Sequence, residues 1–262
     1  MKKLIAGGLL LAAAALPLAV QAQGMNAPAK PTIVLVHGAF ADASSWNGVI
    51  TILQRDGYTV IAAPNPLRGV RTDADVVSSL VRSIDGPVVL VGHSYGGSVI
   101  SEAAERASNV KALVYVAAFA PEAGETALGL TGKFPGSTLA PTLAPPVKLG
   151  DGGNDVYILE ARFHDQFAAD VPAAEARLMA AGQRPIAEAA LGEASTAPAW
   201  KHIPSWFIYG DKDKNIPPAT LAFMADRAKS RSTVVVKGAS HVVMVSNAPA
   251  VAGLIEKAAT AQ

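Results

Sequence analysis

The stretch PVVLVGHSYGG, Pro87 to Gly97, runs from an apolar segment into a serine set among glycines. Val88 to Val91 is apolar on both faces, which is how a strand buried inside a parallel sheet reads. Gly96 to Ala107 has helical character, so Gly92-His93-Ser94-Tyr95-Gly96 is a strand-to-helix turn. Glycines at its first and fifth positions allow a sharp, strained turn whose tip exposes the serine hydroxyl, and a larger residue at either would crowd it. The helix that follows aims its first N–H groups at negative charge developing nearby. A phosphate loop would carry Lys-Ser or Lys-Thr, and a dinucleotide loop Gly-x-Gly-x-x-Gly; this stretch has neither. Ser94 therefore reads as a nucleophile.

The segments on either side repeat the pattern. Thr32 to Val36, Thr59 to Ala63, Ala112 to Ala118, Ser205 to Tyr209 and Thr233 to Val236 read as strands. Ser44 to Asp56, Asp73 to Ile84, Pro217 to Ala228 and Pro249 to Ala259 read as helices between or after them. Strands alternating with helices imply an α/β fold, a mostly parallel sheet flanked by helices, with right-handed crossovers. The alternation breaks over residues 121–200, where Gly, Pro and Thr give way to Ala-rich helical stretches at Asp155 to Ala168 and Pro172 to Ala181. That is too long for a structureless loop in a compact domain, so it reads as an inserted cap over the carboxyl ends of the strands. Within it, Gly129 to Gly153 is low in complexity and is either part of the cap or a surface loop without a role. Phe134, Tyr157, Phe163, Phe167, Met179 and Trp200 either line an apolar pocket or pack the cap onto the sheet.

A serine hydroxyl needs a base within hydrogen-bond reach and a third group to hold that base. The chain has five histidines. His37 and His93 belong to tight turns of their own motifs, His164 falls in the cap and His202 precedes a strand. His241, in Gly238-Ala239-Ser240-His241 just after the last strand, is placed to reach Ser94 from the carboxyl edge of the sheet. The orienting acid should lie between them, at another strand end. In Tyr209-Gly210-Asp211-Lys212-Asp213, Asp213 is the choice, lying deeper in the loop, and Asp211 the alternative. Two donors for an oxyanion follow from the same geometry: the backbone N–H of Tyr95, after the nucleophile, and that of Ala39, in the loop after Val36-His37-Gly38. Phe40 adds a wall at the pocket mouth, so it is a candidate for substrate binding.

With 262 residues, 50% of them hydrophobic and 16% charged, the chain is long enough for one large core and too apolar to be disordered. Met1-Lys2-Lys3, the apolar run Leu4 to Val20 and the small residues before Gln23 have the three parts of a secretory signal, residues 1–22, with cleavage expected after Ala22. The remaining domain, 23–262, would be exported to the periplasm or medium, with no membrane partner after cleavage. Without Lys2 and Lys3, 20 of the 22 basic side chains remain against 21 acidic ones, so no nucleic-acid partner is implied. The chain has no cysteine, which rules out disulfides, a thiol nucleophile and a thiolate metal site.

Taken together, Leu35-Val36-His37-Gly38-Ala39-Phe40, Gly92 to Gly97, Asp213-Lys214-Asn215-Ile216-Pro217 and Lys237-Gly238-Ala239-Ser240-His241 resemble the α/β-hydrolase superfamily. More narrowly they look like the branch of plant methylesterases, hydroxynitrile lyases and related bacterial esterases. The resemblance runs from about Thr32 to Ala259 and is weakest through the cap. It implies Ser94 as nucleophile, Asp213 as triad acid, His241 as base, and Ala39 and Tyr95 as the oxyanion hole. Sheets of this superfamily often have eight strands; starting just before the oxyanion loop, this chain should form about six. The expected activity is a carboxylesterase-like serine hydrolysis of small or medium esters, with no metal or organic cofactor. Lyases of the branch carry a lysine after the base histidine, where this chain has Val242, which argues against cyanide release. Perhydrolysis on the same residues and a non-catalytic ligand-binding protein of this fold are the other readings.

Overall fold

Residues 30–150 and 152–261 are described by the computed structural model. The expected signal segment and its cleavage point after Ala22 lie outside the described residues. Lys30 and Pro31 lead into β1 (Thr32–Val36), which continues as a short 3-10 turn and α1 (Asn47–Arg55). Then come β2 (Val60–Ala63), α2 (Val70–Arg82), β3 (Val88–His93), α3 (Gly96–Ala104) and β4 (Val110–Val116). An intervening segment carries α4 (Ala127–Thr131), β5 (Val147–Lys148), β6 (Asn154–Val156), α5 (Glu160–Phe167), α6 (Ala173–Ala181), β7 (Ile186–Ala187) and α7 (Glu188–Gly192). The chain ends with β8 (Ser205–Gly210), α8 (Pro218–Arg227), β9 (Ser232–Val236), α9 (Val243–Ser246) and α10 (Ala248–Thr260).

Six strands form one sheet in the order β2-β1-β3-β4-β8-β9, every neighbouring pair parallel. The order reverses between β1 and β3, where an α/β sheet opens a crevice at its carboxyl edge. β3, at the centre, is buried at every residue, so no side of it alternates with solvent. β9, at the edge, exposes Thr233 and Val235, and its hydrophobic alternation is that of a strand covered on one face.

Between β4 and β8 the structure departs from the sequence reading. Asp155 to Ala168 is not one helix. Asn154–Val156 forms the middle strand of a small antiparallel sheet, β5-β6-β7, and the helix covers only Glu160–Phe167. The cause is non-local: Asp155 pairs with Val147 and Ala187, and its carboxylate meets the Arg68 guanidinium at 2.6 Å. Partners distant in sequence fix this backbone, overriding local helical character. The segment is tied back to the sheet layer at its end, where buried Glu102 of α3 accepts from Ser195 Oγ at 3.0 Å, Ala197 N at 3.0 Å, and the Thr196 backbone and hydroxyl.

Candidate active site

Ser94 sits at the tip of the turn between β3 and α3 with φ of 53°, a left-handed conformation that costs a non-glycine residue about 1–3 kcal/mol. Neighbouring backbone holds it there. Ser94 N donates to the Val116 carbonyl at 3.3 Å, and the Ser94 carbonyl accepts from Gly97 N at 2.9 Å and Phe119 N at 3.1 Å. The turn is possible because of its glycines: a Cβ on Gly92 would stand 2.6 Å from the Gly96 carbonyl oxygen, and one on Gly96 would stand 2.6 Å from that of Val36. Ser94 is 8% exposed, and its hydroxyl makes no hydrogen bond, to His241 or to any other described residue.

His241, in the loop between β9 and α9, and Asp213, in the loop after β8, form a buried pair. His241 Nδ1 donates to Asp213 Oδ2 at 2.7 Å, with both side chains almost wholly excluded from water. The other oxygen, Oδ1, accepts from Asn215 N at 2.8 Å and Ile216 N at 3.0 Å. A carboxylate so occupied fixes the imidazole tautomer, leaving Nε2 as a lone-pair acceptor. Asp211 is elsewhere engaged, accepting from Gly238 N at 2.6 Å across the turn. The structure thus brings Asp213, and not Asp211, to His241.

The loop carrying His241 is also pinned to the serine turn. His93, the residue before Ser94, donates from Nε2 to the His241 carbonyl at 3.2 Å, and the two rings lie 4.8 Å apart. Burial, with a smaller contribution from His241, holds the His93 ring well below the usual histidine range, so it stays neutral. The Phe167 ring packs against both, T-shaped to His241 at 5.2 Å and to His93 at 6.3 Å.

The loop after β1 presses against the same turn. A Cβ on Gly38 would stand 2.7 Å from Ser94 Cβ and 3.1 Å from Tyr95 N, so only glycine allows this approach. Ala39 N and Tyr95 N, on the two sides of that contact, donate to no described residue, whereas Phe40 N is taken by the Arg184 carbonyl at 2.9 Å. Tyr95 points its ring away into the core, its hydroxyl donating to buried Asp73 at 3.0 Å. Burial raises both groups from their ordinary values, with Asp73 adding to the rise at Tyr95.

A cavity of about 120 Å³ opens over Ser94. Ala39, Phe40, Phe119, Leu128, Leu139, Leu143, Leu191 and Ile216 give it an apolar wall, with Thr131, Ser137 and Asn215 as its uncharged polar members. Much of that wall comes from the low-complexity stretch Gly129 to Gly153, which is therefore pocket rather than idle loop. The aromatic residues of the cap mostly pack instead. Phe163 and Phe167 are buried against each other, Phe134 packs on Phe223 with the rings tilted by 55°, and Trp200 Nε1 donates to the Pro121 carbonyl at 2.9 Å. Sequence reading passed over Gln166, Asn215 and Glu102. For Gln166 a signal existed: Phe163, Gln166 and Phe167 share one helix face, which puts an amide among apolar neighbours.

The alpha/beta hydrolase family model matches residues 33–254. An alpha/beta hydrolase of Aspergillus novofumigatus is 26% identical over 252 residues, covering 88% of this chain and 97% of that protein. A carbendazim-hydrolysing esterase of a Nocardioides species is 33% identical over 113 residues, 38% of this chain and 47% of that one. Among solved structures, polyneuridine aldehyde esterase superposes with a TM-score of 0.76 over 87% of this chain and 99% of its own, at 19% identity.

Proposed function

Because the chain belongs to the alpha/beta hydrolase family, we propose that it is a serine hydrolase that cleaves uncharged carboxylic esters of small or medium size. One observation carries the proposal: a buried Asp213–His241 pair, hydrogen-bonded at 2.7 Å, is tethered through His93 to the strained turn that presents Ser94 to an apolar cavity. The similarity to an esterase adds weight to the ester class.

The chemistry follows from the positions. With Nδ1–H committed to Asp213, His241 Nε2 takes the Ser94 proton as Oγ attacks the ester carbonyl. Charge gathers on the carbonyl oxygen, and the Ala39 and Tyr95 amides, which donate to no acceptor among the described residues, donate to it. These donors are fixed beforehand by the Gly38 contact, so no reorganisation opposes them at the moment of reaction. His241 then gives its proton to the departing alcohol, leaving an acyl-serine, and water repeats the sequence to release the acid. Among the described residues no charged side chain lines the cavity, which favours an uncharged substrate. Val242, apolar and fully buried, gives a cyanide leaving group no counter-charge, which disfavours the lyase reading.

A fluorophosphonate probe and p-nitrophenyl esters graded by acyl length test this. Wild-type protein should be labelled at Ser94 and hydrolyse the shorter esters, while Ser94→Ala and His241→Ala should lose several powers of ten, up to about 10⁶-fold. Full ester hydrolysis by a folded Ser94→Ala protein overturns the proposal. Residues 1–22 we take as an export signal, which the mass of the protein recovered from outside the cytoplasm checks.

A further inference from the structure

Cap helix α5 meets the acid loop through one buried side chain. Gln166, 4% exposed, accepts from Thr138 Oγ1 at 2.8 Å and donates from Nε2 to the Lys214 carbonyl at 3.0 Å and to Asn215 Oδ1 at 2.7 Å. Both amide hydrogens are used, and the oxygen is taken by a donor, so the amide orientation is fixed by its partners. Asn215 in turn donates its backbone N–H to Asp213 Oδ1 at 2.8 Å. Only one residue separates Gln166 from the carboxylate that holds His241.

The same helix end reaches the base. The Phe167 carbonyl accepts from Ser240 Oγ at 3.4 Å, and the Phe167 ring stands edge-on to His241. On its far side the network touches the cavity wall: Thr138 N donates to the Lys214 carbonyl at 2.9 Å, and its neighbours Ser137 and Leu139 line the cavity over Ser94. A residue that only packed α5 onto the sheet would be served by an apolar side chain. Burying an amide is costly unless its hydrogen bonds are made, and here they are made to the backbone and side chain of the acid loop.

We infer that Gln166 is a positioning residue that locks the Asp213–His241 pair to the cap, so that the wall contacting substrate and the acid orienting the base move as one piece. This rests on the acyl-transfer reading of that pair. Gln166 touches no reacting atom; it acts through Asn215 and the Lys214 carbonyl.

The test uses the full chain, a short p-nitrophenyl ester, and proton NMR of the low-field Nδ1–H resonance of His241. Gln166→Met keeps the length of the side chain and removes its hydrogen bonds. It should lower kcat roughly tenfold to 100-fold while KM stays within about twofold, because the loss is in alignment and not in binding. The His241 resonance should broaden or shift. Thr138→Val, which removes one donor from the exposed end of the network, should move kcat and the resonance in the same direction by less. Unchanged kcat and an unchanged resonance in Gln166→Met overturn the inference, as does a loss confined to KM or thermal stability. If Gln166→Met does not fold, Thr138→Val decides by the same two readouts. Failure of the underlying reading looks different: wild-type Ser94 would then not take the fluorophosphonate label at all.

Discussion

Replacing Asp213 by asparagine separates the electrostatic and geometric demands on the buried pair. The two carboxylate oxygens have unlike partners. Oδ1 faces two backbone donors, Asn215 N at 2.8 Å and Ile216 N at 3.0 Å, and Oδ2 faces His241 Nδ1 at 2.7 Å. An asparagine must keep its oxygen towards the two N–H groups, because the amide nitrogen there would oppose donor with donor. Its NH₂ therefore points at His241 and forces Nδ1 to become the acceptor. The proton then sits on Nε2, where a base for Ser94 is needed, and the serine proton has nowhere to go. Loss of the correct tautomer in a triad costs about 10⁴-fold in kcat, or about 5 kcal/mol of transition-state stabilisation. Shape and hydrogen-bond number are nearly kept, so Tm should move by no more than about 3 °C. The assay is steady-state hydrolysis of a short p-nitrophenyl ester by both proteins, with melting curves as a fold control. Asp211→Asn, whose carboxylate accepts from Gly238 N across the turn, should stay within about threefold of wild type. An Asp213→Asn protein within tenfold of wild type, or an Asp211→Asn protein that loses as much, would refute the tautomer argument.

Phe40 lines both the cavity over Ser94 and an outer cleft of about 310 Å³ bounded by Asp42, Asn47, Glu175, Leu178 and Met179. Phe40→Ala should join them and shift the kcat/KM ratio for long over short acyl esters by tenfold or more, and a ratio equal to wild type would show that Phe40 does not limit chain length. Glu102→Leu should leave the Ser195, Thr196 and Ala197 donors unpaired and cost about 2–4 kcal/mol, read by urea unfolding; a cost under 1 kcal/mol would mean that the cap's return is held elsewhere. Burial lowers the folded pKa of His37 and, more strongly, of His93, whereas the unfolded chain protonates both near pH 6.5. Below that pH the unfolded state binds more protons, so stability should fall as the pH drops from about 7 through 6.5 and level off under the folded values. Tm measured between pH 8 and 5 checks this, and His93→Gln should flatten the slope.

The sheet was legible because its signals are local. β3 opens as a continuous apolar run, Val88 to Val91, that stops at Gly92, and the turn at Ser94 announces itself through Gly92 and Gly96, whose missing side chains the Gly96 and Val36 carbonyls would otherwise meet. Chain order then limits the partners: a histidine after the last strand and an acid after the one before it. The choice between Asp211 and Asp213 was harder, since both lie in one turn. The fold sets them apart: the Asp213 carboxylate meets His241 and receives the backbone donors of residues 215 and 216, whereas Asp211 accepts from Gly238 N.

The cap is where local reading stops, and for one physical reason. β6 is three residues long, and nothing within it favours a strand over the helix expected from Asp155; its pairing with β5 and β7, and the ion pair from Arg68, 87 positions earlier in the chain, decide it. Gln166 is hidden in the same way, since its partners Thr138, Lys214 and Asn215 lie 28, 48 and 49 positions away. A polar residue on the inner face of a short amphipathic helix does leave a trace, because it must find partners or be expelled. The trace tells that such partners exist, and only the fold tells that they belong to the loop holding Asp213. The candidates grouped around Ser94 are therefore readable from motif and order, whereas the residues that join the Asp213 loop to the cavity wall depend on contacts made after the chain has closed.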